Sequence, residues 1–256
     1  MAQNIYDTPA FFSSYTQLPR SVNGLSGAPE WPTLRKLVGD IHNTRALDLG
    51  CGLGWFCRWA VKDAHARFVH GIDLSENMLS RAREMTSVEN FGLDGITYQR
   101  ANLEELVLDD GQVYDFAYSS LTLHYLPTEA LRNLLGEVFK CLGPGGRFVF
   151  SVEHPVMTAR EDAMWKADNE GNVYWPLNSY WDEGLRVTNW LVQGFRKYHR
   201  TVETYVSMVL EVGFVVTALK ESWEGLELRP RLQEKADGHR PFFLIIAVQK
   251  PKVQSS

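Results

Sequence analysis

The chain has 256 residues, of which 45% are hydrophobic, and this is enough to bury a full core in one α/β domain. Its formal net charge of −5 and its pI near 5.8 argue against a nucleic-acid partner, which would require a clustered basic face. Neither a transmembrane run nor a signal peptide is visible, and three cysteines without metal-ligand spacing predict free thiols in the cytoplasm.

Residues 1–32 precede the first predicted strand, and we expect them to form an arm that docks on the domain. The arm is rich in aromatic side chains, whereas disordered tails are poor in them. Tyr6, Tyr15 and Arg20 either pin this arm to the core or close it over a ligand, and the sequence leaves both readings open. A short helix is predicted over residues 33–41.

Residues 45–55 contain the pattern around which the rest of the chain is organised. An apolar run ends in Gly50, Gly52 and Gly54, and apolar residues at helical spacing follow. Glycine tolerates positive φ and lets a ligand approach the backbone closely. The pattern therefore predicts a strand, a tight turn built around a bound molecule, and a helix.

A second short strand over residues 68–72 ends in Asp73. In Rossmann-like folds, an acid roughly 20 residues beyond the glycine turn holds the ribose of a nucleoside. Dinucleotide-binding turns have the spacing G-x-G-x-x-G, but Trp55 stands where the last glycine would be. This residue argues against a nicotinamide oxidoreductase, which we keep as an alternative function.

Residues 47–54, Leu-Asp-Leu-Gly-Cys-Gly-Leu-Gly, resemble the first motif of the class I S-adenosylmethionine-dependent methyltransferases. The resemblance implies that the methionine end of the cofactor lies on the glycine turn, that Asp73 binds its ribose, and that the arm closes over it. Cys51 is interpreted as a small buried residue and not as a nucleophile. The cofactor-binding residues expected on this basis are Tyr6, Tyr15, Arg20, Asp48, Gly50, Cys51, Gly52, Gly54, Asp73, Leu74, Met78, Asn102, Leu103 and Ser119.

Downstream of Asp73, Ser75 is predicted to cap a helix over residues 75–85, and a third strand follows over 96–101. The resembled family often places an acid after this strand, where it bonds the adenine amino group. Asn102 departs from that pattern, but its amide oxygen can accept the same hydrogen bond.

The fourth strand, residues 114–120, leads into a loop that contains His124, and the fifth strand, residues 147–152, leads to His154. Ligands bind at the carboxyl ends of the strands in open α/β sheets, so both histidines are predicted to face the cofactor cleft. Each is either a general base or a satisfied packing residue, and His199 is a third candidate.

Two later helices have clear signals at their ends. Thr128 is predicted to cap a helix that stops at the Gly-Pro-Gly-Gly segment 143–146, and Thr201 is predicted to cap another. The last two strands are predicted over residues 214–219 and 242–248. In the resembled fold the final strand runs antiparallel to its neighbours.

Residues 156–198 interrupt the alternation of strands and helices, and an added strand is predicted over 191–198. An insertion after the fifth strand lies beside the mouth of the cofactor site, so we interpret it as a lid over a substrate. The alternative is that its rings form a small core of the insertion itself. These rings are Trp165, Tyr174, Trp175, Tyr180, Trp181 and Trp190.

The predicted fold is a single α/β domain over residues 1–256: a Rossmann-like, seven-stranded, mostly parallel sheet flanked by helices, with the lid insertion after the fifth strand. The expected function is metal-independent methylation of a small-molecule O, N or C nucleophile. Ser119-Ser120-Leu121 stand where a magnesium-dependent catechol-type enzyme would have acids, and the Asn-Pro-Pro-aromatic loop of nucleic-acid amino methyltransferases is missing. We expect a monomer or homodimer with neither a nucleic acid nor a membrane as partner. An alternative function is use of the cofactor without methyl transfer, for instance in a cyclisation.

Overall fold

The structure is a computed structural model that describes residues 2–88, 95–108, 111–160, 165–222 and 240–252. The strands in these ranges are β1 (Arg45–Leu49), β2 (Phe68–Asp73), β3 (Ile96–Arg100), β4 (Tyr114–Ser120), β5 (Leu142–Glu153), β6 (Lys166–Ala167), β7 (Val173–Tyr174), β8 (Gly184–Trp190), β9 (Val192–His199), β10 (Val215–Ser222) and β11 (Phe243–Gln249). The helices are α1 (Pro9–Tyr15), α2 (Pro19–Val22), α3 (Trp31–Val38), α4 (Trp55–Lys62), α5 (Glu76–Val88), α6 (Thr128–Cys141), α7 (Pro155–Thr158) and α8 (Val202–Val212).

Seven of the strands form one sheet in the order β10-β11-β5-β4-β1-β2-β3. The strands β1 to β5 pair in parallel, and β11 runs antiparallel to both of its neighbours. Parallel strands arise here because each helix between them crosses back over the sheet. The predicted Rossmann-like sheet and its antiparallel last strand are confirmed.

Apolar side chains form two buried layers on the sheet. Leu47 and Leu49 belong to one layer and Ala46 to the other, because successive side chains of a strand point to opposite faces. Side chains of α6 and α8 complete the first layer, and side chains of α3 and α4 complete the second. Fully burying one Val, Leu or Phe side chain stabilises a fold by about 1.5–3 kcal/mol. The two layers therefore hold the strand ends, which carry the site, in fixed positions.

Two of the three predicted helix caps are confirmed. Ser75 Oγ accepts a hydrogen bond from Met78 N at 3.1 Å, and Thr201 Oγ1 accepts one from Thr204 N at 3.1 Å. Thr128 does not cap α6, because it is already the first helical residue and follows Pro127. Its hydroxyl accepts instead from Arg200 Nε at 3.2 Å.

The fifth strand begins earlier than predicted. Leu142 already pairs with Tyr114 of β4, so the Gly-Pro-Gly-Gly segment lies within β5 and not in a separate turn. The insertion holds a hairpin, β8–β9, where the sequence predicted a single strand. The side chain of Trp190, one of the aromatic residues predicted to line the lid, lies outside the described part of the structure.

Candidate active site

A cavity of about 920 Å³ lies at the carboxyl ends of the parallel strands. The ends of β1, β2 and β3 form one side, the loop after β4 forms the middle, and β5, β11 and the insertion form the other side. This is the edge at which ligands bind in open α/β sheets. The predicted site residues that line this cavity are Tyr6, Tyr15, Arg20, Gly50, Gly52, Asp73, Leu74, Met78, Asn102, Leu103 and His124.

The glycines of the turn all have positive φ, at 75° for Gly50, 51° for Gly52 and 71° for Gly54. A Cβ on Gly50 would lie 2.2 Å from Thr122 Oγ1, and one on Gly54 would lie 2.3 Å from Tyr98 Oη. At Gly52, which lines the cavity, a Cβ would meet nothing within 4 Å among the described residues. The turn therefore leaves open space for a ligand at Gly52, whereas Gly54 is needed for packing against Tyr98.

The carboxylate of Asp73 is held by the backbone. Its Oδ2 accepts from Gly52 N at 2.8 Å, and its Oδ1 accepts from Ser75 N at 2.9 Å. Burial raises the pKa of Asp73, while the backbone hydrogen bonds, including one from Leu74, oppose this rise. A carboxylate has about four acceptor sites, and these three backbone donors occupy three of them, so one site remains for a ribose hydroxyl.

An apolar wall continues from Asp73 along the same side of the cavity. Met78 and Leu103 are buried, and Leu74 lines the cavity beside them. Asn102 Oδ1 accepts from Glu104 N at 3.0 Å, which fixes the amide at the end of β3. A flat base fits against this wall, and the amide of Asn102 offers it a polar partner.

A second cavity of about 100 Å³ adjoins the glycine turn, and Asp48 and Cys51 line this cavity and not the larger one. Cys57 Sγ donates to Asp48 Oδ2 at 3.2 Å. Burial raises the pKa of Asp48 to about 7, although the bond from Cys57 opposes the rise. Cys51 is a buried thiol, as the sequence indicated. The residues shared by the two cavities are Tyr15, Arg20, Gly50, Gly52 and Ser120.

Ser120, and not the predicted Ser119, faces both cavities. Arg20 Nη2 donates to the two carboxylate oxygens of Glu30 at 2.8 and 2.9 Å, and Ser120 Oγ donates to Glu30 Oε1 at 3.2 Å. Ser119 lines neither cavity, and its Oγ donates to Leu49 O at 2.7 Å. The prediction was one residue out of place, because side chains alternate along β4.

The N-terminal arm is held by ring contacts and also forms part of the cavity wall. The Tyr6 ring centroid lies 4.8 Å from that of Phe11 and 5.2 Å from that of Tyr15, both edge to face. The hydroxyls of Tyr6 and Tyr125 are hydrogen-bonded to each other. Burial raises the pKa of Tyr6, so its phenol stays protonated at neutral pH.

His124 is fully buried and lines the cavity. Neither ring nitrogen has a hydrogen-bond partner among the described residues, and Nε2 lies 3.9 Å from Glu153 Oε1. Burial lowers the pKa of His124 to about 4, although Glu153 opposes this, so the ring is neutral at pH 7. A neutral imidazole of this kind can accept a proton from a bound molecule.

The structure does not bring His154 to the cavity, so the expectation that it faces the cleft is corrected. Its Nδ1 accepts from Val156 N at 3.1 Å, as the cap of α7, and its Nε2 is bonded to Glu221 Oε1 at 2.8 Å. His199 is also engaged in packing, with Nδ1 at 2.8 Å from Thr158 Oγ1. Among the predicted histidines, His124 is therefore the one that lines the cavity.

Sequence reasoning missed four charged residues of the cavity, which are Glu104 and three on the side formed by β5, β11 and the insertion. Glu153 and Lys197 form an ion pair, and Arg240 lines the same side of the cavity. Burial opposes ionisation of Glu153, but Lys197 and His124 outweigh it and lower its pKa. An acid at the carboxyl end of a strand was a usable signal for Glu153, whereas Lys197 and Arg240 come from distant segments and carry no local signal.

Within the described ranges, no group of three or more His, Cys, Asp or Glu side chains could hold a metal ion. None of the helices in the described part of the chain is long and apolar enough to cross a membrane.

Residues 46–146 match a family model described as a methyltransferase domain. The crystal structure of an S-adenosylmethionine-dependent methyltransferase from Mesorhizobium loti is 43% identical, with a TM-score of 0.79, over 89% of this chain and 100% of that one. A putative S-adenosylmethionine-dependent methyltransferase from Listeria monocytogenes is 34% identical, with a TM-score of 0.75, over 88% of this chain and 99% of that one.

A malonyl-[acyl-carrier protein] O-methyltransferase from Erwinia pyrifoliae is 32% identical over 123 residues, which are 48% of this chain and 42% of that protein. The open space at Gly52, the buried carboxylate of Asp73 and the apolar wall beside it fit S-adenosylmethionine, the cofactor of these enzymes. The chain belongs to the class I S-adenosylmethionine-dependent methyltransferase family.

Proposed function

We propose that this methyltransferase acts on an oxygen, nitrogen or carbon atom of a small molecule, without a metal ion. The observation that carries the proposal is the cavity, which runs from the cofactor-binding turn to the insertion. Its volume of about 920 Å³ lies near the upper end of the range of roughly 300–1,000 Å³ for small-molecule sites. Such a volume supports a cofactor and a small acceptor side by side.

The arm and the insertion are joined above the cavity. The side-chain amide of Gln3 accepts from Arg196 N at 2.8 Å and donates to Arg196 O at 3.2 Å, so it bonds both backbone groups of this residue in β9. The rings of Phe11 and Phe195 stack with centroids 5.8 Å apart. Asp7 Oδ1 also accepts from Asn77 N at 3.1 Å, which ties the arm to the first turn of α5. A roof made of two chain segments supports a small acceptor more than a polymer.

The expected cofactor-binding residues divide between the two ends of S-adenosylmethionine. Asp73 would bind the ribose, and Asn102 with Met78 and Leu103 would hold the adenine. The methionine end would lie on Gly50 and Gly52, with its carboxylate near Arg20. When bound, the cofactor supplies a methyl group on a positively charged sulfur.

The protein contributes chiefly by positioning the acceptor. Well-oriented reactants gain an effective concentration that corresponds to roughly 7–11 kcal/mol of the barrier. The rings of Tyr6, Tyr15 and Tyr125 line the cavity between the glycine turn and the insertion. Each aromatic face near a cation adds about 0.5–2 kcal/mol.

We assign the general base to His124, since His154 is occupied as a helix cap. The neutral ring of His124 can accept the proton that the nucleophile loses, and Glu153 at 3.9 Å then stabilises the imidazolium. The low pKa of His124 makes it a weak base, which suits a nucleophile that loses its proton during methyl transfer and not before it.

Two features of the chain support the remaining parts of the proposal. Ser120 ends β4 and Leu121 follows it, at the place where a metal-dependent relative would have acids, so the proposed chemistry is metal-independent. Cys51, Cys57 and Cys141 are free buried thiols, which supports a reducing compartment such as the cytoplasm. The name of the Erwinia relative supports oxygen as the methylated atom.

The test is a screen of a small-molecule library with S-adenosylmethionine, in the presence of a metal chelator. We expect formation of S-adenosylhomocysteine that depends on one small molecule, together with a methylated product by mass spectrometry. Turnover only with a protein or nucleic-acid acceptor would contradict the proposal. A changed small molecule without S-adenosylhomocysteine would favour the cyclisation alternative.

A further inference from the structure

The carboxylate of Asp73 does not by itself satisfy both hydroxyls of a ribose. The backbone amides of Gly52, Leu74 and Ser75 donate to it, and they leave one of its about four acceptor sites. The ribose of a nucleoside has two neighbouring hydroxyls, and each of them loses a hydrogen bond to water on binding unless the protein replaces it. We therefore expect a second hydrogen-bond acceptor close to Asp73.

Asn4, in the N-terminal arm, carries a hydrogen-bond acceptor that the protein itself does not use. The residue lines the same cavity as Gly52 and Asp73. Asn4 Oδ1 is buried, and nothing among the described residues donates a hydrogen bond to it. Proteins rarely leave a buried acceptor unsatisfied, because the lost hydrogen bond to water costs stability. A ligand that brings a donor to Asn4 Oδ1 accounts for this atom.

The orientation of the Asn4 amide is fixed by Asp7. Asn4 Nδ2 donates to Asp7 Oδ2 at 2.6 Å. Burial opposes ionisation of this carboxyl group, but hydrogen bonds from Ser75, Asn77 and Asn4 outweigh it and lower its pKa, so the carboxylate only accepts. Turning the amide over would bring its oxygen against the carboxylate. Oδ1 is therefore the amide atom that is left for a ligand.

Ser75 connects this amide to the carboxylate of Asp73. Ser75 N donates to Asp73 Oδ1 at 2.9 Å, and Ser75 Oγ donates to Asp7 Oδ1 at 2.5 Å. Since Asp7 also accepts from Asn4, one continuous chain of hydrogen bonds runs from the arm to the end of β2. The unused acceptor of Asn4 and the remaining acceptor site of Asp73 therefore lie in the same part of the cavity.

We propose that Asn4 binds the ribose of S-adenosylmethionine: its Oδ1 accepts a hydrogen bond from one of the two hydroxyls, and Asp73 accepts from the other. This inference goes beyond the proposed function, because it concerns the cofactor and not the molecule that is methylated. It rests on the expected place of the ribose at Asp73. Asn4 gives the arm a direct part in cofactor binding, in addition to the ring contacts that hold the arm in place.

The test is calorimetric titration of the full-length protein with S-adenosylhomocysteine and with its 2′-deoxy and 3′-deoxy ribose analogues. We expect the wild type to bind each analogue about threefold or more weakly than S-adenosylhomocysteine. In Asn4→Ala, the affinity for S-adenosylhomocysteine and for one analogue should fall by about threefold to tenfold, as the loss of one neutral hydrogen bond implies. The affinity for the other analogue, which lacks the hydroxyl that Asn4 binds, should not change.

Asn77→Ala is the matched control for the docking of the arm. Asn77 Nδ2 donates to Asp7 O at 3.3 Å, so this variant also removes a hydrogen bond between the arm and α5. Asn77 is not among the described residues that line the cavity. The ratios among the three affinities should therefore stay as they are in the wild type.

Three results would overturn the proposal. The first is a wild-type protein that binds either analogue as tightly as S-adenosylhomocysteine, because one hydroxyl would then have no acceptor; this measurement holds even if Asn4→Ala does not fold. The second is an unchanged affinity of folded Asn4→Ala for S-adenosylhomocysteine. The third is an equal loss for all three ligands, which would mean that Asn4 acts through the docking of the arm or on the adenine. None of these measurements involves the methylated molecule, so their failure is distinct from failure of the proposed function.

Discussion

Replacement of Asp73 by alanine should weaken cofactor binding more than any change at the other carboxylates near β1. The carboxylate of Asp73 is oriented by Gly52 N at 2.8 Å and Ser75 N at 2.9 Å, and a third backbone bond comes from Leu74, so one acceptor site remains for a ribose hydroxyl. A hydrogen bond to a charged group contributes about 1.5–3 kcal/mol, which is the expected loss of binding free energy. This corresponds to a loss of roughly tenfold to a hundredfold in affinity.

The assay is calorimetric titration of the Asp73→Ala variant with S-adenosylhomocysteine, with thermal unfolding of the unliganded protein to separate binding from folding. Asp115→Ala is the matched control, because Asp115 Oδ2 also accepts a hydrogen bond from a backbone amide, Arg45 N, but at the amino ends of the strands, away from the cavity. The control should bind as the wild type does. A loss of less than about tenfold, or 1.4 kcal/mol, in a folded Asp73→Ala protein would refute the ribose assignment.

Other measurements test other parts of the site. His124→Ala should lower kcat by about 10²–10⁴ with little change in cofactor affinity, by steady-state kinetics. Burial lowers the pKa of His124 to about 4, so between pH 6.5 and pH 4 the unfolded chain binds a proton at this residue more readily than the folded protein does. The free energy of unfolding, measured with denaturant, should therefore fall by about 3 kcal/mol as the pH falls through this range. Trp175→Ala should raise KM for the acceptor and spare cofactor affinity. Gly54→Ala should lower the Tm, since its Cβ would lie 2.3 Å from Tyr98 Oη.

Each of these expectations has a result that contradicts it. Full kcat in His124→Ala across the pH range would leave catalysis to positioning alone. If the free energy of unfolding of His124→Gln falls with pH as much as that of the wild type, groups other than His124 cause the fall. An unchanged KM in Trp175→Ala would place the acceptor away from the insertion, and an unchanged Tm in Gly54→Ala would mean that Tyr98 moves aside at no cost.

The side of the cavity formed by the ends of β1, β2 and β3 was largely predictable because its signals are local. Gly50 and Gly52 lie within one tight turn, and Asp73 ends the next strand, so the relation among these residues follows from a single strand–helix–strand unit. Ser75 caps its own helix through a bond to a residue three positions on. Interactions of this range leave a pattern in the sequence, and the pattern can be recognised.

The same local reasoning could not separate His124 from His154. Each follows a parallel strand, and both were expected to face the cleft. The start of α7 and the strand β10 decide the matter, because they bond both ring nitrogens of His154, whereas nothing among the described residues bonds those of His124.

By itself the sequence determined a seven-stranded, mostly parallel Rossmann-like sheet with an antiparallel last strand, and the cofactor. Only the tertiary structure decided the side of the cavity that β5, β11 and the insertion form. The ion pair between Glu153 and Lys197 joins residues 44 positions apart, and Gln3 reaches Arg196 across 193 positions. Arg240 meets Trp165 and Trp175 in the same way, from a different segment of the chain. Such contacts leave no periodicity or spacing in the sequence, since they arise when the arm, the insertion and the last strand pack over one edge of the sheet.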